Sequence, residues 1–431
     1  MVDGGRLWRG SSFALAFVAL GFQTPARAEA QDAQRQPVEI IGVTPAGQDV
    51  TPPTEVVFNF NRAVVPLGRM ERAASEVGIS FSPSLECEWR WINTASLGCR
   101  LGEKGKALPA TDYHVKVSAR FDTTVKDSLA ADQTFSFSTS TPTVTSEWFR
   151  DWKGPGTPVI LVSLSQPVTE SSLRERIFFS DQRGNRFAAT FAKPTVDPYT
   201  DEVRPPLDSE KGLRWLVEPT SELPLGQTMQ LKVSPGLVPL LGAKHGKEDR
   251  VVSTFDTFDT FQFLGVECQD LKGKALSIDS RMTQTDSRSC DPLKPIYLAF
   301  NSPTLKDGVK EGLVSKPDLR GGRTDFDPWD DVPSYSGRDR THRKIQKYLV
   351  SLPFGLKANA QHTFTADASA IHDEFGRALS EPLSIQMRTS HRSPRWVLDN
   401  EISVLEKDTD TQLPVVVNNL QSLKLNYQAV T

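Results

Sequence analysis

The sequence predicts an all-β protein built from tandem Ig-like β-sandwiches, and three observations carry that prediction. Short runs of alternating apolar and polar residues are bounded by Pro, Gly, Asn and Asp, the pattern of half-buried antiparallel strands joined by turns. Helical periodicity is confined to two stretches: Arg69 to Glu76, with room for two turns, and Leu305 to Leu313, with room for one. A set of strand-like segments recurs three times about 100 to 135 residues apart, far beyond solenoid periods, so each copy is a domain.

The first residues differ in kind from the rest. Arg6 and Arg9 precede an apolar run from Phe13 to Phe22, and small residues before Ala28 and Ala30 offer two cleavage points. The expectation is a secretory signal peptide over residues 1–28. The run is about half of the roughly 20 residues a spanning helix needs, and no later stretch is long enough, so no transmembrane segment is expected after the leader. A soluble exported protein is the expectation. With 431 residues the chain exceeds one core. Its 50 basic and 53 acidic residues provide no basic field for nucleic acid.

The segment Cys87 to Cys99 reads as one β-hairpin folded about Asn93. Period-two alternation puts Cys87, Trp89 and Trp91 on one side of the first strand and Ala95, Leu97 and Cys99 on one side of the second, with Glu88 and Arg90 facing solvent. Folding about Asn93 places Trp89 opposite Leu97 and Cys87 opposite Cys99, within disulfide reach. Four cysteines in an exported chain allow three pairings, of which the local one, Cys87 with Cys99 and Cys268 with Cys290, is the simplest. Neither pair has the spacing of a zinc site.

The recurring segments are an opening strand, a turn followed by a strand, and a closing strand with a Thr/Ser-rich exit. The opening strand appears at Phe58 to Val64, Ile160 to Val168 and Ile296 to Pro303. The second segment appears at Leu108 to Val117, Leu223 to Val233 and Leu356 to Ala366, and the third at Phe135 to Thr139, Phe255 to Phe261 and Leu383 to Thr389. The domains drawn from them are 38–142, 143–262 and 263–391, the last with an insertion between about Lys306 and Lys344 expected to be solvated and protease-sensitive. Residues 392–431 read as the start of a truncated further domain, with Pro414 to Val417 and Leu423 to Tyr427 as two strands lacking partners.

No nucleophile arrangement can be assembled, so no catalytic residue, cofactor or metal is assigned and the chain is read as a non-enzyme. The six histidines, His114, His245, His342, His362, His372 and His391, stand singly in polar surroundings and read as surface residues. The acidic run Asp325 to Asp331 has the oxygen ligands a calcium ion takes, but Pro328 and the spacing fit no EF-hand loop. A solvated insertion loop of the third domain is the favoured reading, and pairing with the basic stretch Arg338 to Lys344 is another structural explanation. Arg320-Gly-Gly-Arg323 lacks the following helix that would aim it at a phosphate.

The stretch Phe60 to Glu71, containing Pro66-Leu-Gly-Arg-Met70, followed by Ile79 to Trp91 and Leu97-Gly-Cys99, resembles the N-terminal region of the bacterial alpha-2-macroglobulin family. Leu413 to Leu420 and Asn426-Tyr-Gln428 are similar to the start of that family's next macroglobulin domain. The resemblance implies macroglobulin-like sandwiches in a periplasmic endopeptidase inhibitor whose partners are proteases. Relatives carry a bait segment that the protease cuts, and some a Cys-x-Glu-Gln thioester. Here the cysteines are followed by Glu88, Arg100, Gln269 and Asp291, so no thioester can be transferred, and the bait is expected beyond Thr431. The resemblance thus implies a scaffold portion that traps nothing alone, and an exported Ig-like binding or adhesion protein is the alternative.

Overall fold

The structure, a computed structural model, describes residues 37–66, 68–102, 105–119, 129–195, 212–279, 288–332, 347–398, 415–424 and 426. The leader, His342 and the basic stretch from Arg338 lie outside the described residues. The chain is a tandem array of Ig-like β-sandwiches with three hydrophobic cores, gathered from 38–137, 144–258 and 261–387.

The same two-sheet plan builds each core. In the first unit one sheet runs Ile40–Thr44, Glu55–Phe60, Ser96–Leu101, Cys87–Asn93, Glu71–Arg72, and the facing sheet Gly47–Val50, Gln133–Thr139, Asp112–Val117, Ile79–Ser82. The second unit pairs Val144–Gly154, Thr157–Leu164, Arg214–Pro219 and Ala189–Ala192 against Arg186–Phe187, Ile177–Asp181, Thr228–Val233 and Arg250–Asp256. The third sets Ala275–Ile278, Phe263–Gln269, Tyr297–Phe300 and Tyr348–Ser351 against Val314–Lys316, Gln361–Ala366 and Leu383–Arg388. Alternation drives this arrangement: Asp112–Val117, Thr228–Val233 and Gln361–Ala366 each bury every second residue, which removes about 25 cal/mol of apolar exposure cost per Å² covered.

The repeats share a latch. A buried threonine at the end of the closing strand, Thr139, Thr257 or Thr389, donates its hydroxyl to the carbonyl of Leu108 (2.7 Å), Pro224 (2.7 Å) or Lys357 (2.6 Å). The same oxygen accepts the N–H three residues further along that loop, from Thr111, Gln227 or Ala360. Two main-chain groups of the loop are thereby satisfied by one buried hydroxyl in each unit, which is why this position takes Thr and not Val. A second recurrent device is the hairpin turn Asp-x-x-Gly-x at Asp181, Asp270 and Asp373. The Asp Oδ1 accepts the N–H groups two and four residues on, and Gly184, Gly273 and Gly376 supply the positive φ (88°, 79° and 79°) that closes the turn.

Both local disulfides form, Cys87–Cys99 with Cα atoms 4.9 Å apart and Cys268–Cys290 with Cα atoms 5.7 Å apart. The hairpin register differs from the expected one by two residues. Cys87 lies opposite Leu101, Trp89 opposite Cys99 and Trp91 opposite Leu97, because the turn is Thr94-Ala95, closed by Asn93 Oδ1 accepting the Ala95 N–H at 2.8 Å. The disulfide is therefore diagonal across the ladder. A two-residue slip preserves the face, so Trp89 and Trp91 are buried and Glu88 and Arg90 exposed, while Ala95 moves out of the core face into the turn.

Three further expectations are corrected. Arg69 to Glu76 forms no α-helix: Glu71–Arg72 pairs as an edge strand with Trp89 and Arg90, and Ala74–Glu76 is a single 3-10 turn held by Glu76 Oε2 accepting the Ala73 N–H at 2.6 Å. A helix not anticipated, Glu170–Arg176, is capped by Thr169, whose hydroxyl accepts the Ser172 N–H. Val415–Asn418 has a partner, the antiparallel strand Arg395–Leu398.

Candidate functional site

Both joints between units are built from specific side chains. Between the first and second units, the loop after Leu237 reaches back to the turn at Pro109-Ala110. The N–H groups of Ala243 and Lys244 both donate to Ala110 O, at 2.9 and 2.8 Å. Gly242 is required there, since a Cβ would come 2.1 Å from Pro109 O. Two ion pairs flank the contact, Lys244 Nζ with Asp112 Oδ1 (2.6 Å) and Lys247 Nζ with Asp49 Oδ2 (3.3 Å), and Gln166 Nε2 donates to Ser140 O in the linker at 3.0 Å.

The joint between the second and third units is apolar at its centre. Phe258, from the second core, meets Phe375 with ring centroids 5.2 Å apart and Tyr348 at 6.0 Å, so two third-unit aromatics enter the second unit's cluster. Phe375 sits in the third Asp-x-x-Gly turn, and a polar knot fixes that turn. The Asp373 carboxylate, fully buried, accepts Arg377 Nε (2.9 Å), Arg377 Nη2 (2.8 Å) and Ser302 Oγ (2.8 Å). Arg377 Nη1 then donates to Asp259 O in the linker at 2.7 Å. Asn301 stitches the same linker through Thr260 O and the Gln262 N–H, and the Ser380 N–H donates to Phe261 O.

The candidate residues read from the sequence fall elsewhere. His114, His245, His372 and His391 are exposed, but His362 is 1% exposed, contrary to expectation. It occupies the repeat position that Tyr113 holds in the first unit. Tyr113 Oη accepts the Leu108 N–H at 2.7 Å, and His362 Nε2 bonds Lys357 O at 3.0 Å, each tying its strand to the loop five residues before it. Burial pushes the Tyr113 phenol above its ordinary value.

The acidic run is a loop with Asp325, Phe326, Asp330 and Asp331 exposed, as expected, but it is anchored by a strut of contacts around Trp329. Asp325 takes both Arg323 Nε (3.0 Å) and Nη2 (2.8 Å), Asp327 pairs with Lys310 and accepts the Trp329 N–H at 3.0 Å, and Trp329 and Val332 are buried. Lys306, on the helix Lys306–Gly312, donates to Trp329 O and Val332 O. Asp325 and Asp327 are thus paired with cations that precede them in the chain. Among the described residues no group of three or more His, Cys, Asp and Glu is placed to hold a metal ion. Arg320 to Arg323 is a pair of tight turns, with the Gly321 N–H on Asp318 O and the Arg323 N–H on Arg320 O.

Lys310 and the Trp329 N–H hold the Asp327 carboxyl below its ordinary value of 3.8. Its contribution is present above that value and is lost as pH falls through the depressed folded value. Hydrogen exchange of peptides spanning 325–332, corrected for intrinsic rates, should lose protection below about pH 4, before the sandwich strands do. Asp327→Asn should show that loss already at pH 7, and a strut equally protected in both proteins at pH 7 would contradict the assignment.

No family model matches the chain, and no curated protein matches it. Among solved structures, an L,D-transpeptidase from Mycobacterium tuberculosis H37Rv is 10% identical over 60% of this chain and 75% of its own, with a TM-score of 0.17. The Escherichia coli adhesin FdeC is 10% identical over 80% of this chain and 95% of its own, also at 0.17. The surface layer protein SbsC, domains 1–6, is 10% identical over 84% and 42%, at 0.16. With TM-scores this low, nothing about this chain follows from them.

Proposed function

We propose that this chain is the N-terminal scaffold portion of a periplasmic alpha-2-macroglobulin-like endopeptidase inhibitor. The observation that carries the proposal is the placement of the two segments on which the family resemblance rests. The stretch around Gly68 to Met70 and the Cys87 hairpin are not separate matches: Trp91 N–H donates to Met70 O at 2.9 Å, Glu71–Arg72 adds an edge strand to the hairpin, and Met70 packs on the core that Trp89 and Trp91 fill. They form one local structure, so their joint appearance in order is a single specific signature. Two disulfides call for an oxidising compartment, which makes this an exported protein. Among the described residues no helix is long and apolar enough to cross a membrane.

The scaffold role is to space and orient, with the cut segment and the collapsing body supplied by the longer gene product that the resemblance implies. The test has two arms, in which a broad-specificity protease is offered a large protein substrate and a small peptide. The chain alone should protect neither. The longer product should protect the large substrate stoichiometrically while peptide cleavage continues. Protection by the chain alone would misplace the trap, and absence of protection by the longer product would favour an exported binding or adhesion protein.

A further inference from the structure

We infer that the second and third sandwiches move as one rigid body, and that the first sandwich swings on a salt-dependent pivot at Ala110. The inference rests on the contrast between the two joints and does not depend on the inhibitor reading.

At the first joint both inter-unit main-chain hydrogen bonds that reach the Pro109-Ala110 turn converge on one acceptor, Ala110 O. Two donors on a single atom resist separation of the units but leave rotation about that atom weakly restrained. Ala110 itself holds φ at +49°, and its carbonyl faces the second unit, whose Ala243 and Lys244 N–H groups it accepts. Gln166 Nε2 holds the linker at Ser140 O, and rotation of the first unit about Ala110 is opposed by the pairs Lys244–Asp112 and Lys247–Asp49, whose side chains are 23% and 55%, and 56% and 48%, exposed. Exposed pairs of this kind are weak and are screened by salt: the Debye length falls from about 10 Å at 0.1 M to about 3 Å at 1 M. The two pairs grip the first unit at Asp49 and Asp112, on separate strand ends of its second sheet, so they set an angle and not only a distance.

The second joint has no such single point. Its restraints are spread over Phe258, Tyr348 and Phe375 in a shared apolar cluster, and over Asn301, Arg377 and Ser380, which hold three successive parts of the linker from Asp259 to Gln262. Salt does not screen aromatic packing, and the Asp373 carboxylate at the centre of the knot is shielded from solvent. The linker is in effect part of the third sandwich while its Phe258 is part of the second.

Nitroxide labels on the mature chain, at the exposed positions Ser136, Gln182 and Ser384, one per unit, read both joints as pairwise distance distributions. The Ser136–Gln182 distribution should broaden at least twofold between 0.1 and 1 M salt, concentrations that span the screening range, while Gln182–Ser384 stays unchanged. K244Q/K247Q should reproduce the broadening at low salt without high salt. F375A should broaden the Gln182–Ser384 distribution and leave Ser136–Gln182 as it is. A first joint that stays narrow in high salt and in K244Q/K247Q, or a second joint that broadens with salt, would overturn the inference.

Discussion

Arg377→Ala should lower the stability of the second and third units by about 3–5 kcal/mol, the cost of leaving a buried carboxylate without its cation. Asp373 has a side chain with no exposed surface, and Arg377 supplies two of its hydrogen bonds while also holding Ser302 Oγ and Asp259 O. Removing the arginine strands the charge and frees the turn that carries Phe375. The double variant Asp373→Asn/Arg377→Ala should recover part of the loss, because a neutral amide in that site no longer needs a counter-charge. Chemical denaturation gives both values. A loss below about 1 kcal/mol for Arg377→Ala would place this pair among ordinary solvated ion pairs.

Trp89→Ala should cost about 3–5 kcal/mol, confined to the first unit. The indole is 5% exposed and lies between Phe58 and Phe81, with ring centroids 6.0 and 6.3 Å away, opposite the disulfide-bonded Cys99 in the ladder. Truncation leaves a cavity bounded by aromatic rings and a covalent cross-link, neither of which can move in to fill it. Trp148, 38% exposed on the long strand Val144–Gly154, is the control, and its replacement by Ala should cost less than about 1 kcal/mol. Equal effects at the two positions would contradict the assigned face.

The face of the Cys87 hairpin was legible where its register was not. Alternation identifies which residues share a side and is blind to a slip of two, and only the turn chemistry of Asn93, Thr94 and Ala95 separates the alternatives. The helix Glu170–Arg176 escaped because seven residues give periodicity little to act on, although Thr169 followed by Glu170 and Ser172 carries an N-cap signature. His362 could have been found: aligning Leu356 to Ala366 with Leu108 to Val117 puts it where Tyr113 stands, a buried position whose polar atom holds the preceding loop. The joints were out of reach. Phe258 and Phe375 are distant in sequence, and the one local mark of the third Asp-x-x-Gly turn, Phe375 where the other two carry Arg183 and Lys272, does not name the neighbouring core it docks on.

The central claim, three sandwiches of which the last two share an apolar joint, is tested most directly by calorimetry of the mature chain with its disulfides intact. Multi-domain chains unfold in as many steps as they have independent cooperative units. The structure predicts two transitions, one for the first unit, shifted alone by Trp89→Ala, and a larger one for the second and third together, shifted by Arg377→Ala. Three independent transitions, with the second and third units melting apart in the wild-type chain, would contradict it.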